Sequence, residues 1–168
     1  MVPGITVLGD DRELQSGLKG WWSKLEIFAP WNDDLRPCLF IDLDTYILDL
    51  TVLSEFSELQ DGLWLLNDFN RPHMPESGIF VAPRDGDSIW QGAGRAQQAH
   101  RGDGPYLGTF PHKRLQPVIA GIRSYKVDQL YDSPKDARIV CFHGKPKPHD
   151  TEGWAAQYWT TLTSPTNN

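Results

Sequence analysis

Three apolar runs without alternation constrain this chain most. They are Cys38-Leu39-Phe40-Ile41, Leu63-Trp64-Leu65-Leu66 and Ala137-Arg138-Ile139-Val140-Cys141-Phe142. A strand with one wet face alternates apolar and polar residues. A run that does not alternate fits a strand covered on both faces. Helix-like or irregular segments separate the three. The pattern predicts an α/β fold: a mixed, mostly parallel sheet, flanked by helices, with all three runs among its strands. The length suits one core, so a single domain is expected over residues 1–162. A polar tail, 163–168, is expected to fray.

Between the runs the reading is coarser. Ile5 to Leu8 suggests a short first strand. In GWWSKLEIFAP, Trp21, Leu25 and Phe28 fall on one helical face, and Pro30 ends the helix. Thr51 to Phe56 reads as one or two helical turns, and Ser77 to Val81 as a strand stopped by Pro83. Ser88 to His100 is the best helix candidate, capped by Ser88 and weakened by Gly92 and Gly94. Residues 101–117 read as loop. Pro117–Ala120 and Gly121–Lys126 read as short strands, and Trp154, Tyr158 and Trp159 share one side of a last helix.

Composition excludes some functions. The net charge of −6 argues against a general nucleic-acid binder, which needs a basic face. No apolar run approaches membrane-spanning length. Met1-Val2-Pro3-Gly4 lacks the features of a secretory signal, so a cytoplasmic protein is the expectation. Cys38 and Cys141 lie inside apolar runs and read as reduced core thiols.

Chemistry concentrates at two places. Asp42 and Asp44 follow the first buried run, hence the carboxyl end of a strand, where open α/β sheets bind ligands. Two such carboxylates suit a hard divalent cation, Mn²⁺ or Mg²⁺. The same spacing also occurs in solvated turns. His143-Gly144-Lys145-Pro146-Lys147 follows the last run. Gly144 would let the backbone approach a ligand, the lysines offer point charges to phosphate, and His143 is a candidate ligand for the same cation. For the lysines alone, a basic surface loop is the simpler alternative.

These segments occur in a recognisable order. GWWSKLEIF, LFIDLDT, Ser77-Gly78-Ile79-Phe80, Gly102-Asp103 and FHGKPKPH resemble a glycosyltransferase-like family of bacteria and tailed phages. That family is similar to the retaining family-8 glycosyltransferases, which have a GT-A fold. The resemblance spans roughly residues 18 to 160. It implies that Asp42, Asp44 and His143 are metal ligands and that Lys147 touches the donor phosphate. Lys24 would stand near the donor, and Asp103 and Asp68 on the sugar side. Family members carry a further βαβ segment before the Trp-Lys helix, with much of the base pocket. About twenty residues precede that helix here, which implies an N-terminally shortened GT-A domain.

The first functional expectation is therefore a hexosyltransferase, moving sugar from a nucleotide-sugar, a UDP-sugar foremost, to an unknown acceptor. A partner chain completing the donor pocket is an intermediate case. The rival is a non-catalytic pseudoenzyme or binding module that keeps a metal and phosphate site. A metal-dependent phosphate-ester hydrolase with the same ligands is a third class.

Overall fold

The computed structural model describes residues 15–163. The strand expected over Ile5–Leu8 and the last five residues lie outside them. In chain order the strands are β1 (Cys38–Ile41), β2 (Thr45–Ile47), β3 (Leu63–Asn67), β4 (Pro75–Ala82), β5 (His112–Arg114), β6 (Ile122–Ser124) and β7 (Ile139–Cys141). The α-helices are α1 (Val52–Ser57), α2 (Asp87–Ala99), α3 (Asp103–Leu107) and α4 (Gly153–Thr163). Short 3₁₀ helices cover Gly20–Phe28, Pro30–Leu35 and Pro148–Asp150.

The fold is mixed α/β. The described residues divide into two compact units, one of residues 15–41 and 51–119, the other of 42–50 and 120–163. Each holds its own sheet. The first unit has the order β1-β4-β3-β5, the second β2-β7-β6. Thus the three apolar runs do not share one sheet: β1 and β3 belong to the first, β7 to the second. The partners of β7 are three-residue strands, too short to stand out as apolar runs.

The sheets are not mostly parallel. β1–β4, β3–β4 and β2–β7 are antiparallel, whereas β3–β5 and β6–β7 are parallel. The link from β3 to β4 covers only residues 68–74, too short for the crossover that parallel neighbours need. β3 meets its expectation, with Leu63 through Leu66 all buried. β1 differs: all four of its residues are half-buried, because it is an edge strand.

In the first unit, Leu25, Phe28, Leu65, Phe80, Ile89 and Leu107 form the heart of the core. The first helix is 3₁₀, so its buried apolar positions run Trp22, Leu25, Phe28, every third residue. Trp21, expected inside by α-helical spacing, is 62% exposed. The first helix does stop ahead of Pro30, at Phe28, and Pro30 opens a second 3₁₀ helix.

The α2 helix starts one residue before its expected position, and Gly86, not Ser88, is its cap. Gly92 has a packing reason. A Cβ there would run into the Tyr106 hydroxyl, which donates to Ile89 O at 2.6 Å. Residues 101–117 are not all loop; they contain α3 and β5. Conversely, Pro117–Ala120 forms no strand.

The second unit packs β2 and β7 under α4. Tyr46, Tyr125, Leu130, Val140, Phe142 and Ala155 are its core. The Tyr46 hydroxyl donates to Ala155 O at 2.9 Å and Tyr158 to Ile47 O at 2.7 Å, tying α4 to the sheet. Thr163, assigned to the fraying tail, is the last residue of α4. Both cysteines are free, Cys141 buried and Cys38 half-buried. Burial pushes the Cys38 thiol up to about 11, against an opposing pull from Arg36.

One buried carboxylate ties down the start of the described chain. Glu26 accepts the Gln15 N–H at 2.6 Å, the Ser16 N–H at 3.2 Å, the Ser16 hydroxyl at 2.7 Å and the Trp31 indole N–H at 3.3 Å. Burial by itself would raise its pKa. The Gln15 and Ser16 bonds outweigh that and hold it below the ordinary 4.5. A depressed folded pKa gives stability that is complete above the unfolded value and is lost as pH falls through the folded one. Unfolding by urea should therefore become easier as pH drops below about 4.5, and a Glu26→Gln variant should lose less over that window. Equal losses in both proteins would remove Glu26 from the account.

Candidate functional site

The two chemical segments meet in the second unit. The β2–β7 register pairs Thr45 with Cys141. It continues one step further, since the Phe142 N–H donates to Asp44 O at 2.9 Å. The end of the Asp-Leu-Asp turn thus lies beside the start of the His-Gly-Lys loop. Leu43 is 96% exposed, whereas Asp42 and Asp44 on either side of it are half-buried.

Lys147 crosses to the aspartate turn and pairs its ammonium with the Asp44 carboxylate. Both side chains keep part of their surface in water, 36% for Lys147 and 24% for Asp44. Lys145 behaves differently. It is 85% exposed and reaches only Asp150 Oδ2, at 3.5 Å.

His143 is held by a neighbour that its sequence surroundings do not reveal. The Ser124 hydroxyl lies 2.7 Å from His143 Nε2 and accepts the Val127 N–H at 3.1 Å. Ser124 is fully buried at the end of β6. It stands nineteen positions from the histidine, too far for local spacing to show the link. Gly144 follows with φ +72°, a left-handed conformation that favours glycine. A Cβ at this position would sit 3.0 Å from the Lys126 ammonium. Lys126 is thus a third cation at this loop, absent from the residues picked out by sequence.

Asp150 organises the loop. Its carboxylate accepts the Lys147 N–H at 3.2 Å, and that bond is the main cause of its lowered pKa. Lys147-Pro148-His149-Asp150 is a cap with Pro at the first helical position and an acid three residues on. That spacing was visible in the sequence.

Asp42, Asp44 and His143 supply hard oxygens and an imidazole, a donor set suited to Mn²⁺ or Mg²⁺. Among the described residues, no three His, Cys, Asp or Glu side chains already converge as a metal-holding group. The segments are adjacent, but the Asp44 carboxylate carries Lys147 and the His143 ring carries Ser124.

The remaining sequence candidates lie in the first unit. Lys24 and Asp103 form a buried ion pair at 3.4 Å, with side chains 7% and 8% exposed. Ser77 completes it: its hydroxyl donates to Asp103 Oδ2 at 2.8 Å, and its carbonyl accepts from Lys24 at 3.2 Å. Asp68 follows β3 and shapes a turn. It accepts the Asn70 and Arg71 N–H groups at 2.8 and 3.0 Å and pairs with the Arg71 guanidinium at 2.7 Å. Burial would raise its pKa, but the Arg71 and backbone bonds bring it below the ordinary value.

Among the described residues, no helix is long and apolar enough to cross a membrane. A scan against protein-family models and a search of curated proteins find no match to this chain.

Proposed function

We propose that this protein is a metal-dependent glycosyltransferase-like protein of the GT-A type, taking a nucleotide-sugar donor. One observation supports the reading above all. Two motifs about a hundred residues apart lie side by side, with Lys147 of one on Asp44 of the other.

In this reading Asp42, Asp44 and His143 hold the cation, which when bound neutralises charge on the departing nucleoside diphosphate. Lys147 binds the donor phosphate and adds fixed positive charge where the leaving group gains negative charge. Lys145 and Lys126 raise the local potential. Ser124 keeps the His143 ring in place, and Asp150 keeps the lysine loop in shape. The second reading, a non-catalytic metal and phosphate binder, is favoured by a different detail: Asp44 is already neutralised within the chain.

Calorimetry with UDP and Mn²⁺ at low salt tests the proposal. Binding should need the metal and weaken as salt is added. Asp44→Ala should abolish Mn²⁺ binding. Lys147→Ala should weaken UDP by roughly tenfold or more, the scale of one lost charge-assisted hydrogen bond. Lys145→Ala should matter much less. No UDP binding with Mn²⁺ at low salt would remove the enzyme reading.

A further inference from the structure

We propose that Lys147 is an exchangeable counter-ion, holding Asp44 until a diphosphate draws it away and so making cation and diphosphate binding mutually dependent. The inference rests on the donor-binding reading above and adds a coupling to it. One ammonium serves two anions that it cannot neutralise at once. While Lys147 sits on Asp44, a divalent cation must displace a positive charge to reach that carboxylate. When the ammonium turns to a phosphate oxygen, Asp44 regains its full negative charge and the cation site opens. By linkage, each ligand then strengthens the other by the same factor.

The chain around Lys147 suits such an exchange. Its backbone is fixed, with the N–H on Asp150 and prolines on both sides. Its side chain is a four-carbon stem ending in a compact ammonium, able to swing about a stationary Cα. The ion pair is partly solvated, so breaking it meets no large burial penalty. Lys145 is no substitute, because it extends into solvent and its carboxylate partner is Asp150.

The coupling predicts an unusual result: removing a residue beside the metal site improves metal binding. Mn²⁺ alone, with no nucleotide, is titrated into the full chain and its Lys147→Met and Lys147→Gln variants, free Mn²⁺ being read by electron paramagnetic resonance. Both variants are expected to bind Mn²⁺ about five- to tenfold more tightly than the parent, as loss of one neighbouring charge implies. UDP should raise Mn²⁺ affinity in the parent by a larger factor than in either variant. If the parent binds Mn²⁺ and the variants bind it equally or less well, the exchange is overturned and the metal site stands. If none of the three binds Mn²⁺, the metal reading falls and the coupling falls with it.

Discussion

Asp103→Ala is expected to destabilise the protein by about 3–5 kcal/mol, the usual cost of stripping one partner from a buried ion pair. Lys24 would keep a charge with 7% of its side chain exposed. The Ser77 carbonyl and the Phe40 ring, 5.3 Å away, also lie against it. Neither replaces a carboxylate. Removing both charges, as Lys24→Met with Asp103→Asn, should recover most of the loss, because the desolvation cost disappears with the pair. Urea unfolding of the two single variants and the double closes the cycle. A loss under about 1 kcal/mol for Asp103→Ala would mean that water compensates Lys24, as at a surface pair.

The second large effect is expected in the same unit. Phe80 is fully buried in β4, opposite Phe40 on one strand and Leu65 on the other. Its ring stacks on Phe40 at 4.9 Å and on Phe28 at 5.8 Å, all three nearly parallel. Truncation to Ala removes the middle of that stack, and strand backbones on both sides limit collapse into the gap. Phe80→Ala should cost about 3–5 kcal/mol, seen as a lower denaturant midpoint at unchanged slope. Val118→Ala, at a site 49% exposed, should stay within about 0.5 kcal/mol and serves as the control. Similar losses at both positions would show that the Phe80 stack is not where the core is tight.

What was legible in the sequence follows from the range of the forces involved. β3 could be located because burial writes a local signature, an apolar run between breakers, and β1 carries the same kind of run although it is only half-buried. Which runs pair could not be read, since β7 takes Thr45–Ile47 and Ile122–Ser124 as partners and a strand's local pattern does not name its neighbour. The first helix was found but given the wrong period, because two adjacent tryptophans fit either face and only packing chose Trp22. Asp42, Asp44, His143 and Lys147 could be singled out because residue type and spacing carry chemistry, and the fold brings Lys147 onto Asp44. Ser124 and Lys126 were missed because their roles come from contacts that the fold creates. Lys24 and Asp103 were both singled out, yet their mutual neutralisation across the fold left no mark along the chain.

The second unit is built from two separated stretches of chain, 42–50 and 120–163, and that sets when and from what it can exist. No contiguous piece holds both Asp44 and Lys147 without also carrying residues 51–119, which belong to the other unit. The two residues are 103 positions apart. Closing a flexible loop of that length costs about 2 kcal/mol more than closing one of about ten residues. During synthesis the aspartate turn is made first and waits for the lysine loop, while the intervening residues can settle into their own core.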